Sequence, residues 1–348
     1  MTDGPFLSVT AGGEPSATRC PGCGGQVAGA LLACPSCHAL VHADRLRQLA
    51  SEAEEAAARE DISAQLQAWR TALDLLPAGA RQRQVIAAKI DGLSREVTKG
   101  SGLGRRMGAG GGAVAGGALI LWKLKALLLI AVTKGKLLLL GLTKSSTLLS
   151  MLPTFGLYWA VFGWRFAAGL IASIYVHEMG HVFALRRYGI PASAPMFIPG
   201  FGAVVRSHHH PANAHEDARI GLAGPVWGLG AAVAALAVFA AAGGAIWVAI
   251  ARVGAWINLF NLLPVWQLDG ARALRPLNRT QLWAALAVVV LTFAVTREGL
   301  LVLIGAVAGY QAFRATEGGE GDWGALAWYA SLIVVLAWLS RLGLAAAA

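Results

Sequence analysis

Charge is scarce in this chain: only 14% of its 348 residues are Asp, Glu, Lys or Arg, against 56% hydrophobic ones, and the mean hydropathy is +0.57. A soluble chain of that make-up would have too little polar surface to cover itself, so the solvent it implies is lipid. Acidic residues are the scarcer sign, 19 against 29 basic ones, for a formal charge of +10. The basic residues mostly flank apolar segments, where they record which loops stay in the cytoplasm, so nucleic acid is not expected as a partner. Cysteine is scarce as well, with four residues, Cys20, Cys23, Cys34 and Cys37. The first eighteen residues contain Gly, Pro and acids. They lack the basic start and apolar stretch of a cleavable signal, which argues for an N-terminal domain in the cytoplasm.

What the chain has in quantity is the long apolar run. Such stretches occupy 156–185, 220–242, 245–263, 282–295, 300–313 and 323–339, against a requirement of roughly 20 residues per spanning helix. The fourth and fifth are short. The expected fold is mainly α: a polytopic α-helical membrane protein of about six or seven spans, with a short strand or hairpin insert near 189–219. Residues 118–154 form a membrane-associated or first spanning element. There Trp122-Lys-Leu-Lys is echoed eleven residues later by Thr133-Lys-Gly-Lys. One spanning helix with snorkelling lysines and a bent element in the interface both fit.

Ahead of the membrane region the cysteines form two C-x2-C knuckles, Cys20-Pro-Gly-Cys23-Gly24 and Cys34-Pro-Ser-Cys37-His38. Each can set two thiolates on one tetrahedral ion, Gly24 supplying the left-handed backbone such a turn needs. The plainer alternative, two disulfides, is disfavoured in the cytosol. Residues 1–42 therefore read as a compact zinc-ribbon-like module holding one structural zinc, with His38 and His42 as surface histidines rather than substitute ligands. Residues 43–98 turn rich in Ala, Glu, Gln, Arg and Leu, with Leu66, Trp69, Leu73 and Leu76 at helical spacing and Pro77 as a stop, a soluble helical segment. Residues 68–77 resemble part of a tetratricopeptide unit, which would imply a protein partner; a plain helical hairpin fits as well. Residues 99–117 read as a Gly-rich linker, and 155–348 as the membrane domain.

Within the apolar run 156–185 stands His177-Glu178-Met179-Gly180-His181. On a helix the two histidines face the same way and can share one zinc, with Glu178 beside them as proton carrier. An ionisable group at a helix centre in lipid costs about 2–3 kcal/mol on the lenient insertion scale, and such residues mark function. The alternative is that all three merely hydrogen-bond to neighbouring helices. A catalytic zinc wants three protein ligands and one exchangeable position. Asn258-Leu-Phe-Asn261-Leu-Leu-Pro264-Val-Trp-Gln-Leu268-Asp269-Gly270 offers the third at the end of another apolar segment, where Pro264 and Gly270 force irregular backbone.

These residues, with Gly224-Pro225 read as the opening of a later helix, resemble the site-2 protease family of intramembrane zinc metalloproteases over roughly 156–277. The resemblance implies a catalytic zinc on His177, His181 and Asp269, Glu178 as acid/base, and Asn261 in the active site. It implies a transmembrane protein substrate, cut in or next to its membrane segment. Two departures stand out: Gln267 occupies a place where proline is common, and no PDZ-like module is evident. The insert after the metal helix has a strand-like run whose Gly202, Ala203 and Val204 could pair with an unwound substrate, or simply pack as a hairpin. His208, His209, His210 and His215 read as an exposed or interfacial loop. The expected protein is thus a zinc endopeptidase of the membrane, a bacterial cell membrane on its Ala and Gly content. Two other classes remain: an idle scaffold using the ribbon and helical region, and a metal-ion transporter.

Overall fold

The computed structural model describes residues 17–28, 31–100, 145–199, 202–205, 207, 209–316, 318 and 320–343. The lysine-rich echo within 118–144 lies outside the described residues. The chain divides into two compact units, Met1–Ile90 and Asp91–Ala348.

In the first unit, β1 (Ala17–Arg19) and β2 (Gln26–Ala28) pair antiparallel with Thr18 opposite Val27. They sit over a small cluster of Cys20, Val27, Cys34 and Val41. Two helices follow, α1 (Ala43–Ala58) and α2 (Ile62–Asp74). Asp61 caps α2, its side chain accepting from Ala64 N at 3.0 Å, a start signal of the expected kind. Leu49 and Ala53 of α1 and Leu66 and Trp69 of α2 are buried, so the pair is a helical hairpin closed on its apolar faces. α2 ends three residues before Pro77, whose ring disfavours helix in the residue ahead of it. Arg83, in α3 (Arg81–Gly100), donates to the freed carbonyls of Leu73 (2.6 Å) and Leu76 (3.0 Å).

The second unit is almost wholly helical: α4 (Ser145–Phe162), α5 (Trp164–Arg187), α6 (Ala214–Ala242), α7 (Ala245–Asn261), α8 (Asp269–Leu274), α9 (Arg279–Thr296), α10 (Leu300–Arg314) and α11 (Trp323–Ser340). Among the described residues α5, α6, α9 and α11 are long and apolar enough to cross a membrane, while 149–162, α7 and α10 are shorter apolar helices. α5, which carries the histidines, is the most enclosed: 72% of its most apolar window is buried, against 22% for α6. It packs on α6, which packs on α7; α7 in turn meets α11, and α9 meets both α10 and α11. Leu259, Leu262, Ile304, Tyr329 and Ile333, all fully buried, join these helices in one core.

Gly224-Pro225 does not open a helix. α6 begins at Ala214, where Asn213 caps it by accepting from Glu216 N at 2.8 Å, and Pro225 lies inside. The cap, three residues ahead of an acid, dictates the start, and the proline is buried within the helix. Between α5 and α6 the expected insert is a hairpin, β3 (Met196–Ile198) against β4 (Gly202–Val204), antiparallel with Phe197 opposite Ala203. Phe197 is buried under α5 beside Ile171, Ile174 and Tyr175, and its N–H donates to Ser150 Oγ at 3.0 Å. Met196, Ile198 and Val204 point outward, each more than 40% exposed. His215 enters the first turn of α6 and pairs with Asp322 at 3.0 Å.

Candidate active site

The helical period brings His177 and His181 onto one face of α5, with Nε2 to Nε2 at 3.2 Å. The turn after α7 delivers Asp269, at the start of α8, to the same point: Oδ2 lies 3.2 Å from His177 Nε2 and Oδ1 3.3 Å from His181 Nε2. All three residues and Glu178 are buried, each below 9% exposure.

Each imidazole is oriented from behind. His181 Nδ1 lies 2.9 Å from Ile220 O, which can only accept, so the ring donates there. His177 Nδ1 lies 2.7 Å from Asn258 Oδ1, while Asn258 Nδ2 donates to Gly254 O at 2.7 Å, which fixes the amide so that its oxygen faces the ring. Both Nε2 atoms therefore turn lone pairs toward each other and toward a carboxylate. Three such groups repel at this distance unless a cation lies between them. A tetrahedral zinc with bonds of about 2.0–2.1 Å needs ligand atoms about 3.3 Å apart, and the observed triangle has that size.

α6 leaves the room. A Cβ on Gly224 would fall on His181 Nε2 and 2.7 Å from His177 Nε2, and one on Gly228 would fall on the Asn258 amide. Glycine is required at both places by close approach, and residue 224 sits where any side chain would fill the cradle.

The structure brings Asn261 beside the triangle, Nδ2 lying 3.4 Å from His177 Nε2. Gly202, Ala203 and Val204 form β4 of the hairpin, with Val204 exposed and Ala203 packed against the apolar cluster of α5. Asn258 is the residue that the reading of the sequence passed over. Its signal was a second lone amide in an apolar helix, where an unpaired polar side chain is costly. Also missed was the anchoring of α8, where Asp217 of α6 accepts from Arg272 Nε at 2.8 Å and Arg275 at 2.9 Å.

The four cysteines of the first unit form a second cluster, their sulfurs all within 4.8 Å of one another. Cys20 Sγ is 3.4 Å from Cys37 Sγ and Cys23 Sγ 3.8 Å from Cys34 Sγ, near the edge of about 3.8 Å that Zn–S bonds of 2.3 Å require. The knuckles are built alike: Gly24 N donates to Cys20 O at 3.0 Å and His38 N to Cys34 O at 2.9 Å, with φ of 74° at Gly24 and 58° at His38. His38 thus holds the turn position that Gly24 holds in the first knuckle. The Cys23 backbone N–H foremost draws the Cys20 thiol down to about 6. Cys37, although favoured by the Ala39 N–H, is pushed up to about 12 by its sulfur neighbours. Four thiolates so close cannot all ionise without a cation among them.

No curated protein and no solved structure matches the chain. A family does. Residues 165–244, which run through the His177-Glu178-x-x-His181 helix, the hairpin and α6, match the family model of Peptidase family M50; Asp269 lies beyond the match and stands on geometry alone. The apolar helices long enough to span a bilayer and that match together identify the chain as a helical membrane protein whose segment 165–244, carrying the two histidines, is similar to Peptidase family M50.

Proposed function

We propose that this protein is a zinc-dependent intramembrane endopeptidase, hydrolysing peptide bonds in or next to transmembrane segments of other proteins. The observation that carries the reading is the triangle made by His177 and His181 on the most enclosed apolar helix with Asp269 of α8, Glu178 being next in sequence to the first of them.

His177, His181 and Asp269 would hold the ion. What a zinc supplies when bound is Lewis acidity, lowering the pKa of a water from 15.7 towards about 7 and polarising a peptide carbonyl. Glu178 takes the proton from the attacking water and returns it to the departing amine. Asn258 and the Ile220 carbonyl keep both imidazoles in the Nδ1–H tautomer, so neither ring swings or competes as a proton donor at Nε2. Asn261, beside His177 Nε2, is placed to donate to the carbonyl oxygen of the scissile bond. A helical substrate has its carbonyls engaged in i to i+4 bonds and must unwind first. β4, at Gly202, Ala203 and Val204, offers the unwound segment a strand to pair with on the edge that β3 does not use. The Cys20, Cys23, Cys34 and Cys37 cluster holds a structural zinc, and the helical hairpin behind it is the surface for a protein partner on the cytoplasmic side.

The test is cleavage of a candidate transmembrane substrate by the purified protein beside Glu178→Gln. The variant is expected to lose about 10²–10⁴-fold in rate with its zinc retained. Equal rates in both remove Glu178 from its role, and a wild-type protein that holds zinc but cuts nothing favours a scaffold.

A further inference from the structure

We infer that Tyr329 and Gln311 are positioning residues for Asp269, acting through the carbonyls of the irregular strap that joins α7 to α8; the inference rests on the metallopeptidase reading above. Chain that leaves a helix at membrane depth exposes carbonyls that lipid cannot satisfy, and it survives only where protein groups take over. The strap, 262–268, carries Pro264 and places Trp266 at a φ of 51°, a conformation rarely adopted by so bulky a residue. Something must hold it.

Two side chains from distant helices do so. The Tyr329 hydroxyl, on α11 and fully buried, donates to Leu262 O at 3.0 Å. Gln311 Nε2, on α10, donates to Pro264 O at 2.6 Å. The first of these carbonyls is the seat of the metal-binding turn: a Cβ added at Gly270 would fall on Leu262 O and its carbon. Gly270 is therefore pressed directly on the peptide that Tyr329 holds, and Asp269 is its neighbour. The path from the Tyr329 hydroxyl to the Asp269 carboxylate runs through one carbonyl and one glycine. Without the hydroxyl, the Leu262 carbonyl can rotate toward another donor, and α8 shifts with it. The ion pairs of Asp217 with Arg272 and Arg275 fix the far end of α8; at the near end Gly221 of α6 packs beside Asp269 O, and the strap supplies the surface under Gly270. Both Tyr329 and Gln311 lie outside the family match at 165–244.

The experiment uses the full-length protein as Tyr329→Phe, Gln311→Met and both together, each also in an Asp269→Asn background. Zinc affinity at the membrane site is read by chelator competition, with total zinc and thermal unfolding measured alongside. Each single change is expected to weaken zinc retention about tenfold or more, and to lower kcat with little change in KM. In the Asp269→Asn background the same changes should add little, because the ligand they position is gone. Unchanged zinc affinity in the double variant overturns the inference, as does an equal loss with and without Asp269. Should Tyr329→Phe fail to fold, Gln311→Met decides alone. The zinc measurements hold even if no substrate is cleaved, so failure of the peptidase reading and failure of this inference are separable.

Discussion

Asn258 Oδ1 lies 2.7 Å from His177 Nδ1, and the same amide donates to Gly254 O one turn earlier on α7. A histidine that ligates zinc through Nε2 needs its other nitrogen held by an acceptor, which fixes the tautomer and raises the basicity of the ligand atom. Asn258→Leu removes that acceptor and strands a buried N–H. Zinc affinity at the membrane site, measured by chelator competition, is expected to fall about 10–100-fold. Asn258→Asp keeps an oxygen toward His177 and should retain most of the affinity. If Leu and Asp at 258 behave alike, the hydrogen bond does not set the ring.

Gly224→Ala tests the space rather than the ligands. The added methyl would fall on His181 Nε2 and close to His177 Nε2, and the α6 backbone cannot retreat without leaving α5. Overpacking of this kind costs about 1–3 kcal/mol, and here it falls where the ion must sit. The variant should fold, keep the zinc of its cysteine cluster and lose the one in the membrane. Two zinc ions per chain in Gly224→Ala would show that the cradle lies elsewhere.

These two residues mark the border of what the sequence discloses. His177, His181 and Asp269 are legible because ligands of one metal recur as residue types at short spacings and at ends of apolar runs. The hairpin, too, follows from Gly and Pro punctuation around Ala203. Asn258 differs: it is one of two amides in an apolar helix, and only the fold says which ring it faces. Pro225 misleads for a related reason, because a proline reads as a helix start until tertiary packing over it is known. Tyr329 stands 60 positions beyond Asp269, and no local pattern links a hydroxyl in the last span to a carbonyl in the strap.

At the N-terminus of α11, Asp322 caps the helix, accepting from Ala325 N at 2.8 Å, and pairs with Arg219 and His215 of α6, each at 3.0 Å. Burial alone would raise its pKa, but His215, the Ala325 N–H and Arg219 together hold the carboxyl below the usual carboxylate range. A depressed folded pKa contributes stability that is present above the unfolded value of about 3.9 and is lost as pH falls through the folded one. Thermal unfolding measured from pH 6 downward should therefore show an acid limb that flattens in Asp322→Asn. At neutral pH the same variant, which keeps a capping oxygen, should be the less stable by about 1 kcal/mol, since Arg219 loses its counter-charge. An identical acid limb in both proteins would assign the acid sensitivity to other carboxylates.

The β4 edge makes a prediction about substrate rather than chemistry. Val204 is 49% exposed and stands opposite Met196 in the hairpin register. A photo-crosslinking amino acid at Val204 should capture a transmembrane substrate in the Glu178→Gln protein, and one at Trp256, exposed on α7, should not. Capture from both positions equally would mean that the hairpin is no more than one of several lipid-facing surfaces. Backbone pairing also predicts that Val204→Thr, which keeps a β-branched side chain, changes KM by less than about threefold.

The cysteine cluster supplies the sharpest count. Because the two knuckles share one turn geometry, with Gly24 and His38 in matching left-handed positions, neither alone presents more than two sulfurs, and the module closes only when one ion takes all four. Cys20→Ser should then remove one zinc per chain outright rather than weaken it, and the small core of Val27, Cys34 and Val41 should open with it. The Asp91–Ala348 unit keeps its own core, so the remaining zinc should still be competed away by chelator at the wild-type concentration. His177→Ala gives the mirror result: the cysteine-bound ion stays and the membrane ion goes. Metal analysis of the two variants beside the parent should read one, one and two zinc ions per chain. Loss of both ions from either variant would mean that the two sites are not independent.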